Sequence, residues 1–307
     1  MAWDCSRLMG AGMADQPCGF LVLDKPAGLT SHGCVARVRR AYGLRRVGHG
    51  GTLDPAVTGV LPLALGPATR LLPYLVGDKH YEGTIQLGLC TDTDDLSGTV
   101  LERHPLPPLP HDALERALAP FRGSILQVPP QVSAVHVQGE RAYARARRGE
   151  ALSLPPRAVT ITQLELRHWE PGTGRLQLEV QCSAGTYIRS LARDLGTALG
   201  CGGALAELRR TGALGFSLAQ AMPLEALEQP PLPPLLNPLA ALGHLPRRQL
   251  EPGELEGWRC GRSLEGQADW PPGQPVAVLG PDGNLVGMAL ACAADRLQPK
   301  LVFDALG

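Results

Sequence analysis

Apolar and polar positions divide the chain into segments with two different periods. GFLVLDKPAG (19–28) is a short apolar run closed by Asp-Lys-Pro and a glycine, the pattern of a buried strand. SHGCVARVRRAYG (31–43) predicts a helix, with Ser31 as N-cap, Val35 and Val38 three apart and Gly43 just past the end. HYEGTIQLGLC (80–90) alternates like a strand, TDTDDLSG (91–98) is a polar turn, and HDALERALAPFRG (111–123) has helical spacing at Leu114 and Leu118. Residues 127–150, QVPPQVSAVHVQGERAYARARRGE, start extended and end helical and arginine-rich. AVTITQLELRHWE (158–170) and GRLQLEVQCSAGTY (174–187) both have period two and are predicted to pair. IRSLARDLGTALG (188–200) then switches to helical spacing, with Ile188, Leu191 and Leu195 on one side. A Pro- and Leu-rich connecting segment spans Glu225 to Pro246. The remainder, with QPVAVLG and NLVGMALA around a PDG turn, reads as a small β-domain.

These elements predict an α/β (α+β) protein: a mixed, mainly antiparallel sheet with flanking helices, followed by the small C-terminal β-domain. The expected organisation is a flexible N-terminal tail over 1–18, a main domain over 19–245 and the β-domain over 246–307. A chain of 307 residues with 44% hydrophobic content and a mean hydropathy of −0.03 has enough apolar material for a sizeable core. It has no run of the roughly 20 apolar residues that a membrane helix needs, and its first residues have no apolar signal region. The expectation is therefore a cytoplasmic protein with no membrane association.

Lys+Arg and Asp+Glu both number 29, which by itself argues against a non-specific polyanion binder. The charges are unevenly placed. The last 57 residues carry eight acids and four bases, whereas Arg37, Arg39, Arg40, Arg45 and Arg46 occur together with no acid between them. A second arginine-rich run covers 141–148. Such runs are solvated helix faces in most proteins, but two of them on a neutral chain raise the nucleic-acid reading. The eight cysteines stand singly with no C-x-x-C pair, so zinc-site spacing is missing.

Three segments carry candidate chemistry. In GHGGTLDPAVTG (48–59), His49 and Asp54 are the titratable groups of a glycine-rich loop. Asp54 before Pro55 is either a helix N-cap or a loop carboxylate, exposed to an approaching molecule, that serves as nucleophile or base. In GTYIRSLARD (185–194), Arg189 falls in the first turn of a helix. The helix dipole disfavours a cation there by about 0.3–1 kcal/mol, and an anion such as Asp54 or an RNA phosphate would offset that cost; the alternative is an arginine pointing to solvent. In DKHYEG (78–83), Tyr81 is either packing at a strand edge or a ring that stacks on a base.

The strings GFLVLDKPAGLTS, RVGHGGTLDPAVTGVLPLALGPATR, KHYEGTIQLGLCTDTDDLSG, PPQVSA…GERAYARARRGE, CSAGTYIRSLARDLG and LRRTGALGFS occur in this order over nearly 200 residues. In this the chain resembles the bacterial TruB family, the tRNA pseudouridine-55 synthases. The resemblance implies the pseudouridine synthase fold with a PUA-type RNA-binding β-domain, and isomerisation of one uridine in the tRNA T-loop to pseudouridine. It implies neither metal nor organic cofactor, tRNA (its T-stem-loop) as partner, no obligatory protein partner, and a monomer. By motif it assigns catalysis to Asp54, with Tyr81 stacking on the base and Arg189 paired with the aspartate. His49 would fill the space left by the flipped nucleotide, Tyr187 would line the pocket, and Lys25 and Leu208 would support the site. The chain departs from the family pattern at Gly50, where threonine is usual and glycine would loosen the loop. It departs again at His136, where the usual lysine phosphate contact is lost.

The reaction breaks N1–C1′ and makes C5–C1′, so the detached base must be held in a dry, closed pocket. Attack on C1′, abstraction of a sugar proton and addition to the ring are all open to Asp54. The competing readings are a tRNA-folding chaperone without catalysis, a guide-RNA-dependent synthase and a generic β-rich RNA-binding protein.

Overall fold

The computed structural model describes residues 17–133, 135–137, 140–142, 145, 148, 150 and 153–303. The first apolar run is β1 (Gly19–Lys25), buried at nearly every position. Its alternate residues serve two cores. Leu21 and Leu23 face one cluster, while Phe20 and Val22 face another, as the period-two pleat requires. Helix α1 (Ser31–Ala41) follows. Its cap is Thr30, whose hydroxyl accepts the Gly33 N–H at 2.9 Å, and not Ser31 as the pattern suggested. The Ser31 hydroxyl is turned inward instead.

β2 (Val47–His49) and β3 (Thr58–Leu65) flank the glycine-rich loop. No helix starts at Pro55. The Val57 N–H donates to the Asp54 carbonyl at 3.1 Å, making a tight turn straight into β3. The β3 sequence TGVLPLAL is a continuous apolar run because both of its faces are covered. A 3₁₀ segment, Gly66–Tyr74, leads towards β4 (Lys79–Leu87), β5 (Leu89–Thr91) and β6 (Val100–Arg103). Next come α2 (His111–Leu118), β7 (Gly123–Gln127) and the short ribbon β8 (His136–Val137) and β9 (Glu140–Arg141). The helical, arginine-rich end expected before residue 150 lies largely outside the described residues, as do residues 1–16 of the expected tail and the His136 side chain.

β10 (Arg157–Glu170) and β11 (Arg175–Cys182) pair antiparallel, as their alternation predicted, and α3 (Ile188–Ala198) follows where the period changes. β12 (Gly203–Ala213), β13 (Phe216–Ser217) and β14 (Met222–Pro223) complete the first sheet. Its order is β14-β1-β3-β12-β4-β11-β10-β7, with β2 on β3 and β13 on β12. Among the described residues of this sheet only β1–β14 and β3–β12 are parallel pairs, so it is mixed and mainly antiparallel.

Val35 and Val38 of α1, Leu114 and Leu118 of α2, and Ile188, Leu191 and Leu195 of α3 cover one face together with Leu61, Leu63, Ile85 and Leu178. Each such side chain contributes about 1.5–3 kcal/mol on burial. The other face packs on Ala68 and Leu71 and on Ala277 and Met288 of a second sheet. That sheet, β15 (Arg247–Gln249), β16 (Leu264–Glu265), β17 (Pro275–Leu279), β18 (Leu285–Cys292) and β19 (Arg296–Val302), has the order β15-β17-β18-β19-β16. Trp258 is fully buried at its centre and donates Nε1–H to the Val286 carbonyl at 3.0 Å.

The parallel contact of β3 with β12 places the functional loop. Gly59 pairs with Arg210 and has φ +104°, and a Cβ there would lie 2.1 Å from the Arg210 carbonyl oxygen. Only glycine allows the two backbones to come this close. The chain before β3, carrying Asp54, is thereby held against the central strands β12 and β4.

Candidate active site

The Asp54 loop has almost no regular pairing of its own, and buried polar side chains hold its backbone. Ser31, 1% exposed, accepts the Leu53 N–H at 2.9 Å and donates to the Leu53 carbonyl at 3.2 Å. Lys25, fully buried at the end of β1, donates to the carbonyls of Pro26, Leu29 and Pro55 at 2.8, 2.7 and 3.1 Å. Burial pulls its ammonium pKa down, against the attraction of Asp54 and Cys34. Arg210 reaches the carbonyls of Gly51 and Thr52 at 3.2 and 3.5 Å. Gly50 is not loose. Its N–H donates to the Pro62 carbonyl at 2.9 Å, and a Cβ there would meet Leu214 Cδ1 at 2.5 Å, so Leu214 fills the space a side chain would take.

Arg189 stands in the first turn of α3 and points inward. Its Nη2 lies 2.9 Å from Asp54 Oδ2, its Nη1 donates to the Thr93 carbonyl at 3.1 Å, and its Nε is 3.7 Å from Asp95 Oδ2. The arginine side chain is 8% exposed and the aspartate 46%. The guanidinium is thus a fixed, buried partner, and the carboxylate it steadies remains open. The carboxylate is therefore open, and not enclosed as the chemistry led us to expect.

Asp54, Tyr81, Tyr187, Arg189 and Leu208 line one cavity of about 260 Å³, with Lys79 and Thr186 beside them. A larger groove of about 760 Å³ also contains Asp54, Arg189 and Leu208, so these three stand where a pit meets a channel. Tyr81 is buried, and burial pushes its phenol pKa up while Arg210 pulls it down. Tyr187 is held by Gln127, which accepts its N–H at 2.8 Å and donates to its carbonyl at 3.0 Å. Lys25 and His49 are outside the cavity lining. His49 lies on the shoulder of the loop, edge-on to His32 with ring centroids 5.2 Å apart, and its Nδ1 accepts the Gly51 N–H at 3.3 Å. Burial, then His32 and Arg210, pull its pKa down, which favours the neutral ring.

Sequence reasoning overlooked Thr93 and Asp95, read only as part of a polar turn, and Arg210, which lay unremarked in LRRTGALGFS. The pairing of Leu205 N–H with the Asp94 carbonyl at 2.9 Å fixes that turn against β12 and so presents Asp95 to Arg189. Among the described residues no group of three or more His, Cys, Asp or Glu is arranged to hold a metal ion, and no helix is long and apolar enough to cross a membrane.

This architecture recurs in solved structures. A chain in the structure of an H/ACA RNP bound to a substrate RNA containing 2′-deoxyuridine superposes with a TM-score of 0.70 at 25% identity, covering 93% of this chain and 84% of that one. A chain of a Cbf5-Nop10-Gar1 complex superposes at 0.68 with 26% identity and the same coverage. The fold is that of a pseudouridine synthase, with a PUA-like second sheet. The family model described as TruB family pseudouridylate synthase (N terminal domain) matches residues 39–188, and that described as tRNA pseudouridylate synthase B C-terminal domain matches 189–232. The chain is 65% identical over 293 residues to tRNA pseudouridine synthase B of Parasynechococcus marenigrum (strain WH8102), covering 95% of this chain and 100% of that protein. It is 61% identical over 298 residues to the protein of that name in Synechococcus sp. (strain WH7803), covering 95% and 99%. The chain belongs to the TruB family of pseudouridylate synthases.

Proposed function

We propose that this protein isomerises the T-loop uridine at tRNA position 55 to pseudouridine, with Asp54 as the catalytic carboxylate. The observation that carries this reading is the Asp54–Arg189 contact of 2.9 Å at the mouth of a base-sized cavity floored by Tyr81. A uridine reaches such a pit only by leaving its stack, which costs a few kcal/mol, and a folded T-loop presents single-stranded bases that lower this cost. Asp54 starts cleavage of N1–C1′, and Arg189 holds the carboxylate in position while it acts. Tyr81 lies on the uracil and keeps the detached ring from leaving. After C5–C1′ forms, Tyr81 takes the C5 proton, and N1 gains a proton in exchange, so the product is an isomer. Tyr187 and Leu208 wall the pit, Lys25 supports the loop from behind, and His49 enters the space the nucleotide vacates.

The groove of about 760 Å³ takes the rest of the T-arm, with residues 19–245 as the catalytic unit and 246–307 as an RNA-binding unit. The protein works as a monomer without a protein partner or guide RNA. The likeness to the H/ACA chain at 25% is far weaker than that to the bacterial enzymes at 65%, which supports the stand-alone reading. The test is purified protein with a T-stem-loop transcript and nothing else, followed by mapping of pseudouridine. Conversion at the single expected uridine supports the proposal, and conversion only after a guide RNA or second protein is added overturns it.

A further inference from the structure

One buried cation has no place in the scheme above. Arg210 has no exposed surface, yet among the described residues it forms no ion pair. An unpaired buried charge is expensive unless hydrogen bonds replace its water. Those bonds are specific. Nε donates to the Val60 carbonyl at 2.8 Å, and the two Nη groups reach the Gly51 and Thr52 carbonyls of the Asp54 loop. Directly across the sheet, Arg210 of β12 is the register partner of Tyr81 of β4, so the two side chains leave the same face side by side, and the guanidinium pulls the phenol pKa down. One rigid fork therefore holds the strand after the loop and the loop itself, next to the ring of Tyr81.

We propose that Arg210 is a positioning residue that fixes the backbone of the Asp54 loop beside its cross-strand neighbour Tyr81, so that ring and carboxylate keep one separation and the phenol oxygen faces a fixed positive charge as it accepts the C5 proton. This rests on the reaction proposed above. In that step the phenol oxygen takes the C5 proton as its own proton passes on to water, the C–H electron pair returns to the ring, and N1 gains a proton from water, so the proton count is unchanged. The groups facing the phenol have opposed effects. Burial pushes its pKa up, Arg210 pulls it down, and Cys182 and Asp54 push it up.

The test uses the full chain with Arg210→Gln and Arg210→Lys, and a T-stem-loop transcript labelled with tritium at C5 of the target uridine. Misplacement of a reacting group by about 1 Å costs on the order of 10²-fold, so single-turnover tritium release is expected to fall about 10²-fold in both variants. RNA affinity should stay within about threefold, since Arg210 has no exposed surface with which to contact RNA. An ultraviolet difference titration without RNA, referenced to Tyr81→Phe, reads the phenol itself. Arg210→Gln should move its ionisation to higher pH, whereas mere loosening of the core would admit water and move it lower. Arg210→Lys keeps the charge and should leave the titration near wild type while turnover stays slow.

Wild-type turnover in a folded variant overturns the proposal, as does a phenol titration unchanged or lowered in Arg210→Gln. If Arg210→Gln does not fold, Arg210→Lys decides alone: slow release with retained RNA affinity supports the role, and wild-type release refutes it. A wild-type protein inactive on the transcript would instead refute the parent reading, which the RNA-free titration keeps separate.

Discussion

The loop that carries Asp54 is shaped by side chains, and the sharpest consequence concerns Ser31. Its hydroxyl satisfies both polar groups of Leu53, the residue just before Asp54, in a position 1% exposed. Ser31→Ala removes both partners at once. A buried N–H or carbonyl left unsatisfied costs about 1–3 kcal/mol. Alanine in the first turn of α1 returns up to about 0.5 kcal/mol of helix propensity, too little to cancel the loss. With two such groups unsatisfied, a net destabilisation of about 2–5 kcal/mol is therefore expected, measured by thermal or denaturant unfolding. The effect on rate should be larger than stability alone requires. The Leu53–Asp54 peptide is free to tilt, and a shift near 1 Å at Asp54 costs about 10–10²-fold in single-turnover conversion. The assay is tritium release from C5-labelled T-stem-loop RNA at saturating enzyme, with RNA affinity measured alongside. A variant that loses stability as expected but converts RNA within about twofold of wild type would show that Ser31 does not position the carboxylate.

Two further outcomes follow from the geometry. Arg189→Lys replaces a fork that reaches Asp54, Thr93 and Asp95 with a single ammonium, so at least one charged hydrogen bond worth about 1.5–3 kcal/mol is lost. Turnover should fall by about 10–10²-fold with tRNA affinity retained, and equal losses in rate and affinity would mark Arg189 as a phosphate contact. For His49, whose folded pKa lies below its ordinary value of 6.5 because of burial, the stabilising contribution is present above that value and is lost as pH falls through the lowered one. Hydrogen-exchange protection at Gly51 and its neighbours, taken relative to the intrinsic rate at each pH, should therefore fall below pH 6.5 in wild type but not in His49→Gln, and identical protection profiles would contradict the assignment.

Much of this site is local and therefore legible in the chain. The apolar run before Lys25, the alternation of 158–170 and 174–182, and the change of period at Ile188 each report burial of their own residues. What could not be read depends on distant partners. Ser31 looked like a helix cap because its inward bond is to Leu53, 22 residues away, and Thr30 does the capping. β3 was hidden by Pro55, which suggested a helix start, although the sheet covers both faces of TGVLPLAL. β12, GALAELRRTGA, is rich in helix-forming residues and lacks clean alternation, yet it is the central strand. Its Arg210 reads as a surface charge until the carbonyls of residues 51, 52 and 60 close around it. Asp95 likewise meets Arg189 across 94 residues of chain, where no periodicity links them.

The account depends most on the carboxylate of Asp54, and Asp54→Asn tests it most directly, because the amide preserves size and shape while removing the charge. With pure variant protein, free of wild-type enzyme, and full-length unmodified tRNA, no pseudouridine should appear at position 55 while tRNA binding stays at the wild-type level. Turnover at even a few per cent of the wild-type rate would contradict the central claim.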